Sequence, residues 1–163
     1  MEMAETATRE REMERAAEVM REFMARAVLF QDAVAKWGGL NGTDLQCAGL
    51  LMSEGPATPG ELAERTGLTA GGAITTAIDR LERAGFVTRD RDPNDRRRVI
   101  VTAIPEAIIG RFGEVYGRIA ARWNAYLDTL SDEQLAFAND LLARAAEVNR
   151  EEIELLRGRH PRG

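Results

Sequence analysis

Thr58-Pro59-Gly60-Glu61-Leu62-Ala63-Glu64-Arg65-Thr66-Gly67-Leu68-Thr69 is the stretch on which the fold turns. Thr58 and Glu61 have the spacing of a capping box, and Pro59 stands at the first helical position, where its missing N–H is no loss. The helix so opened is brief, because Gly67 closes it. Leu68-Thr69 begins the next helix, with Thr69 as its N-cap. Ile74, Ala77, Ile78 and Leu81 recur at helical spacing and predict a buried face, and Gly85 ends that helix after Ala84. Two helices joined by a tight turn containing glycine make a helix-turn-helix unit.

Downstream, Phe86 to Arg89 and Val99 to Thr102 are β-prone runs. The charged, turn-forming Asp90-Arg91-Asp92-Pro93-Asn94-Asp95-Arg96-Arg97 separates them, which predicts a hairpin with a long tip. Upstream, Asn41-Gly42-Thr43 opens a short helix carrying Leu45, Ala48, Leu51 and Met52, and Ser53-Glu54-Gly55-Pro56 ends it. Before that, Met13, Ala17, Met20, Phe23, Met24, Ala27, Phe30 and Val34 mark one long helix from Thr8 to Trp37, stopped by Gly38-Gly39. After the hairpin, Pro105 starts a helix with Ile108, Phe112, Val115, Tyr116, Ile119, Trp123 and Tyr126 on one side. Ser131-Asp132-Glu133-Gln134, a second capping box, opens the last helix, through Leu135, Ala138, Leu142, Ala145, Val148 and Leu156, with a frayed tail from Gly158.

The fold class read from this order is mainly α with a small β-hairpin wing. A winged helix-turn-helix domain, residues 41–104, is inserted between N- and C-terminal helices, 1–40 and 105–163, that form a dimerisation region. The apolar stripes of the first and last helices exceed what one chain can cover, and a homodimer is the expected assembly.

Composition narrows the class. With 44% hydrophobic and 30% charged residues in 163, the chain reads as a soluble globular protein. No apolar run approaches the roughly 18 residues of a membrane span, and no membrane partner is expected. Met1 to Thr6 is acidic and polar, unlike a secretory leader. The single cysteine, Cys47, allows no internal disulfide, which fits a cytoplasmic location. A net charge of −5 counts against a nucleic-acid partner, but the local distribution reverses the argument. Between Arg80 and Arg98 stand seven arginines against four acids, the concentration a DNA-contacting surface requires.

In a helix-turn-helix the second helix enters the major groove, its N-terminal residues near base edges. That helix is read here from Thr69 to Ala84. Thr69, Ala70, Gly71, Gly72, Thr75, Thr76, Arg80 and Arg83 are its candidate DNA-binding residues. Gly71 and Gly72 are each about 1 kcal/mol worse than alanine inside a helix. Close approach of the helix to DNA explains them; a loosely formed first turn is the alternative. Thr75 and Thr76 can hydrogen-bond bases and pack their methyls on thymine, and Arg80 and Arg83 suit phosphates or guanine. Asp79 shares this face, where it orients Arg83 four residues on or accepts from a cytosine amino group; the first is preferred. On the wing, Arg96, Arg97 and Arg98 are placed to enter a narrow minor groove, with Asp92 and Asp95 orienting them. Taken alone these arginines would be a solvated charge run; beside a helix-turn-helix they are a second DNA contact.

Leu62-Ala63-Glu64-Arg65-Thr66-Gly67-Leu68-Thr69, Ile78-Asp79-Arg80-Leu81-Glu82-Arg83-Ala84-Gly85-Phe86-Val87-Thr88-Arg89 and Asp92-Pro93-Asn94-Asp95-Arg96-Arg97 together resemble the MarR family of bacterial transcriptional regulators. The resemblance runs from about Thr43 to Thr102. It implies a dimer made by the N- and C-terminal helices, two winged domains on palindromic DNA, and a small-molecule ligand that releases DNA. It also implies an Asp-x-Arg unit in the wing whose arginine enters the minor groove; Asp95 and Arg97 match it. The sequence departs from the family at Ala103-Ile104-Pro105-Glu106-Ala107, where a Leu-Thr-x-x-Gly segment is common.

The expected function is therefore a sequence-specific, ligand-responsive repressor that binds a pseudo-palindromic operator in double-stranded DNA. A small aromatic or drug-like effector would meet Phe30, Trp37, Tyr116 and Trp123; the plainer reading makes those rings core. Cys47 could serve a thiol-based redox sensor, but its neighbours Leu45, Ala48 and Leu51 point to a buried packing residue. A winged-helix module that binds only protein is a further alternative, opposed by the arginines of the wing. Enzyme chemistry finds no footing. The one histidine, His160, lies in the tail, and no Cys/His cluster, Gly-rich phosphate loop or base-paired nucleophile is present. The acids Glu151-Glu152 sit on a solvated helix face. No cofactor or metal is called for.

Overall fold

The computed structural model of the chain describes residues 2–68, 71–93 and 95–158, with side chains described from Ala7 onward. Thr69 and Ala70 at the expected head of the recognition helix, Asn94 in the hairpin tip, and the tail with His160 lie outside the described residues. The elements in order are α1 (Glu2–Trp37), α2 (Gly42–Glu54), α3 (Pro59–Thr66), α4 (Gly72–Arg83), β1 (Val87–Arg91), β2 (Val99–Ala103), α5 (Pro105–Leu127) and α6 (Asp132–Gly158).

Local chemistry sets the helix ends. Thr58 and Glu61 close the capping box of α3: the Glu61 amide donates to Thr58 Oγ1 at 3.2 Å, and the Thr58 amide donates to Glu61 Oε2 at 2.7 Å. Asn41 and Asp44 do the same for α2, and Ser131 and Gln134 for α6. Gly67, with φ of 72°, ends α3 in the left-handed conformation that favours glycine. Past the end of α4, the Phe86 amide donates to the Leu81 carbonyl and the Gly85 amide to that of Glu82, both at 2.9 Å. That pair is a Schellman motif, and it turns the chain sharply from the helix into β1.

The chain divides into two compact units, Met1–Arg111 and Phe112–Gly163. The first unit has its core under the helix-turn-helix. Leu45, Ala48 and Leu51 of α2, Leu62 and Ala63 of α3, and Ile74, Ala77, Ile78 and Leu81 of α4 are buried together with Val87 and Val101 of the hairpin. β1 and β2 pair antiparallel from Val87 opposite Ala103 to Arg91 opposite Val99. Each strand is thus one residue longer than its β-prone run predicts: β1 begins one residue later and ends two later, and β2 ends one later. Ala57 adds a bridge to the far side of β2, through reciprocal bonds with Val101 of 3.1 and 2.8 Å. This bridge ties the wing to the segment before α3, and the turn residues around it gave no hint of a strand.

The end of α1 packs on α2. Arg111, at the other limit of this unit, donates to the Trp37 carbonyl at 2.8 Å and lies over the Trp37 ring. The rest of α1 is largely exposed, including Met13, Val19, Phe23, Met24, Val28 and Leu29. In the second unit, no described residue of α6 is buried, and Trp123, Tyr126, Phe137, Leu141, Leu142, Val148, Ile153, Leu155 and Leu156 stand open.

Candidate nucleic-acid interface

The apolar stripe of α4 faces the core, so its other side is presented outward. Gly71, Gly72, Ala73, Thr75, Thr76 and Arg83 are exposed there. The two glycines stand at the mouth of the helix. Gly71 is the N-cap with φ of 140°, a conformation reserved for glycine. Gly72 is the first helical residue, and a Cβ on it would meet nothing within 4 Å. The penalty expected for glycine in a helix interior therefore applies to neither. Both threonines turn their hydroxyls back into the helix: Thr75 Oγ1 donates to the Gly71 carbonyl at 3.0 Å and Thr76 Oγ1 to that of Gly72 at 2.6 Å.

Arg80 does not stand free on this face. Its Nε and Nη2 donate to Asp44 Oδ2 and Oδ1 at 2.8 and 2.7 Å, a two-point clasp between α4 and α2. The Asp44 carboxylate is fully buried and also accepts the Asn41 amide at 3.3 Å. Hydrogen bonding to Asp44 raises the guanidinium's pKa still further above its ordinary value. Asp44 escapes a reading that follows apolar periodicity alone. The available signal is its position four residues before Ala48 and seven before Leu51, on the buried stripe of α2.

Asp79 also differs from expectation: its partner is Arg89 of β1, not Arg83 of the next helical turn. Arg89 reaches Glu82 as well, at 3.3 Å, so one arginine braces the first strand of the wing against two acids of α4. The Schellman turn makes this possible by folding β1 back beside the helix. Among the described residues Arg83 has no ion-pair partner.

In the wing, Arg96, Arg97 and Arg98 are all exposed. The Asp95 carboxylate accepts the Arg97 backbone amide at 3.0 Å. Here it shapes the turn, as Asx side chains do, rather than holding the guanidinium. The Arg98 amide donates to the Asp95 carbonyl and the Asp92 amide to that of Arg98, at 2.9 and 3.1 Å, which closes the tip. Arg91 Nη1 donates to the Arg96 carbonyl at 2.9 Å. The Arg98 side chain reaches back to Glu61 at 3.5 Å, so Arg96 and Arg97 are left as the tip's free cations among the described residues. Hydrogen bonds from Thr58, the backbone one first, hold the Glu61 carboxyl below its ordinary pKa.

Cys47 is fully buried on α2. Burial, and next the charge of Asp44, push its thiol up to about 11, the reverse of what a reactive thiolate needs. The four candidate effector aromatics fall in different units: Phe30 and Trp37 on α1 in the first, Tyr116 and Trp123 on α5 in the second. Trp37 is half exposed with Arg111 over its ring, and Trp123 lies edge-on to Tyr126.

A short helix, a turn, a second helix with a polar outer face, and a β-hairpin define the winged helix-turn-helix class. Residues 38–98 match the MarR family. Over 142 residues the chain is 36% identical to the HTH-type transcriptional regulator YcgE of Bacillus subtilis, covering 87% of this chain and 91% of that one. The chain belongs to the MarR family of helix-turn-helix transcriptional regulators and is not an enzyme. The fold is that of a MarR family protein from Bacillus stearothermophilus, with a TM-score of 0.68 at 21% identity over 86% of this chain and 97% of that one. It is also that of Streptococcus pneumoniae FabT in complex with DNA, with a TM-score of 0.65 at 19% identity over 85% and 98%.

Proposed function

We propose that the chain is a sequence-specific regulator that binds a pseudo-palindromic operator in double-stranded DNA as a homodimer. The observation that carries this reading is the pairing, on one compact unit, of the exposed outer face of α4 with the unpaired Arg96 and Arg97 of the wing tip. In this reading Gly71, Gly72, Thr75, Thr76 and Arg83 meet the major groove, with Thr69 and Ala70 at the head of the same helix. Arg97 enters the flanking minor groove. Arg80 and Arg98 support the surface from behind through Asp44 and Glu61. FabT, which shares the fold, is solved in complex with DNA, and that supports DNA as the partner.

The homodimer rests on residues 1–40 and 105–163. The many large apolar side chains left exposed on α1, and separately on α5 and α6, belong in an interface, and a two-fold axis would set two recognition helices about one turn of DNA apart. The reading extends to a ligand-responsive repressor, whose effector would be a small aromatic or drug-like molecule. A cytoplasmic setting goes with it.

The test is selection from a randomised duplex pool, followed by light scattering of the free protein and the complex. Recovery of an inverted repeat bound by two chains is the expected result. A monomer that binds one half-site as tightly as the whole repeat would refute the assembly. Failure to enrich any sequence would refute DNA recognition itself.

A further inference from the structure

The hydroxyls of Thr75 and Thr76 have already spent their hydrogens. Each donates to the carbonyl four residues back, at 3.0 and 2.6 Å, so toward solvent each side chain offers only oxygen lone pairs and a methyl group. Ala73 adds another methyl, and Gly71 and Gly72 add nothing. Along the exposed N-terminal half of α4 there is accordingly no side-chain donor among the described residues. The cations of this helix come later, and of them Arg80 is committed to Asp44.

Base pairs differ in what they show such a surface. In the major groove guanine presents two acceptors, N7 and O6, which would face lone pairs with no hydrogen between them. Adenine presents the N6 amine, which can donate, and thymine presents its C5 methyl. An A·T pair thus supplies both things this turn can use. A C·G pair supplies only the cytosine amine, beside an unmatched O6. Gly72 lets the groove floor come close enough for methyl contact, since no side chain of its own intervenes and none of the protein's packing requires glycine there.

We infer that the first turns of α4 select A·T pairs, with the methyls of Thr75 and Thr76 on thymine C5 methyls and their hydroxyl oxygens accepting from adenine N6, and that they reject guanine. This rests on the reading of α4 as the major-groove helix. It specifies which chemistry that helix reads. The back-bonded rotamers make both threonines specificity residues without any charge.

The experiment selects duplexes with the full chain and then replaces single bases in the best one. Deoxyuridine for thymidine removes the methyl, and deoxynebularine for deoxyadenosine removes the amine. Each should weaken binding at the core positions, by about threefold to fivefold for a methyl and roughly tenfold for an amine. Thr75→Ser keeps the oxygen and should lose only the deoxyuridine effect at its base pair. Thr75→Val keeps a methyl and should lose only the deoxynebularine effect. Thr76 variants should do the same at the neighbouring pair. Selected sites with guanine under these residues, sensitive to 7-deazaguanine, would overturn the inference while leaving DNA recognition intact. So would Thr75→Ser and Thr75→Val proteins that respond to both replacements as the parent does. A pool with no enriched sequence would remove the major-groove reading and the inference with it.

Discussion

Arg80→Ala and Asp44→Asn cut the same clasp from opposite sides, and the structure says they differ in cost. The Asp44 side chain is fully buried whereas that of Arg80 is 37% exposed. Removing Arg80 strands a carboxylate in the core with only the Asn41 amide for company, and uncompensated buried charges of this kind cost about 3–5 kcal/mol. Asp44→Asn keeps the volume and one acceptor, and the guanidinium can turn to water. Its loss is then that of a charge-assisted hydrogen bond, about 1.5–3 kcal/mol. The double variant has neither charge to strand, so it should be less destabilised than the two singles added together, by about 1–2 kcal/mol. Urea unfolding followed by circular dichroism at pH 7, at one fixed protein concentration because self-association shifts the midpoint, measures all three. Operator binding supplies the contrast. An Arg80→Ala protein that unfolds like the parent yet binds DNA with a salt slope lower by about one per chain, about two for the dimer, would show Arg80 to be a phosphate contact, and would refute the clasp as its purpose.

Arg97→Ala should weaken operator binding by about 1–3 kcal/mol, more on A·T-rich flanks where the minor groove narrows. Asp95→Ala should weaken it less, by loosening the turn around the Arg97 amide; binding isotherms for the pair that show Asp95→Ala tighter than the parent would contradict this role. Gly72→Ala should leave unfolding unchanged or slightly raise stability, since the added Cβ meets nothing, yet weaken operator binding; unchanged affinity would remove the argument for close approach. Cys47 should resist thiol reagents in the folded protein, and peroxide should not release DNA. Its raised pKa also carries a sign: stability is full below about 9 and falls as pH climbs toward about 11, because only the unfolded thiol ionises in that window. Cys47→Ala should flatten that alkaline loss in denaturation curves taken across the range.

Much of the local structure was legible in the residue order. Thr58 with Glu61 and Ser131 with Gln134 announced two helix starts, and both capping boxes are present. Pro105 marked the start of α5. These are signals spanning three or four residues, where chain geometry leaves few choices. What escaped depends on how elements cross. Arg80 finds Asp44 36 residues away because α2 and α4 pack together. Asp79 finds Arg89 rather than Arg83 because the turn at Gly85 swings β1 back. The bridge between Ala57 and Val101 is likewise non-local. Helical spacing allows an Asp79–Arg83 pair, but it cannot weigh that pair against a rival brought in by tertiary structure. Asp44 was the one such residue with a trace in the sequence, as an acid on an otherwise apolar stripe.

The ion pairs behind the recognition surface bear on how such a protein would search a genome. Of the seven arginines from Arg80 to Arg98, Arg80, Arg89 and Arg98 are matched to the protein's own carboxylates. Among the described residues that leaves Arg83, Arg91, Arg96 and Arg97 without a carboxylate partner, on a chain whose total is −5. Attraction to arbitrary DNA comes almost wholly from phosphates, so in the proposed complex the internal pairing of three arginines would lower the hold of duplex lacking the operator. Less of the cellular pool would be sequestered on the vast excess of irrelevant sites, and occupancy of the correct one would be decided by base fit more than by copy number.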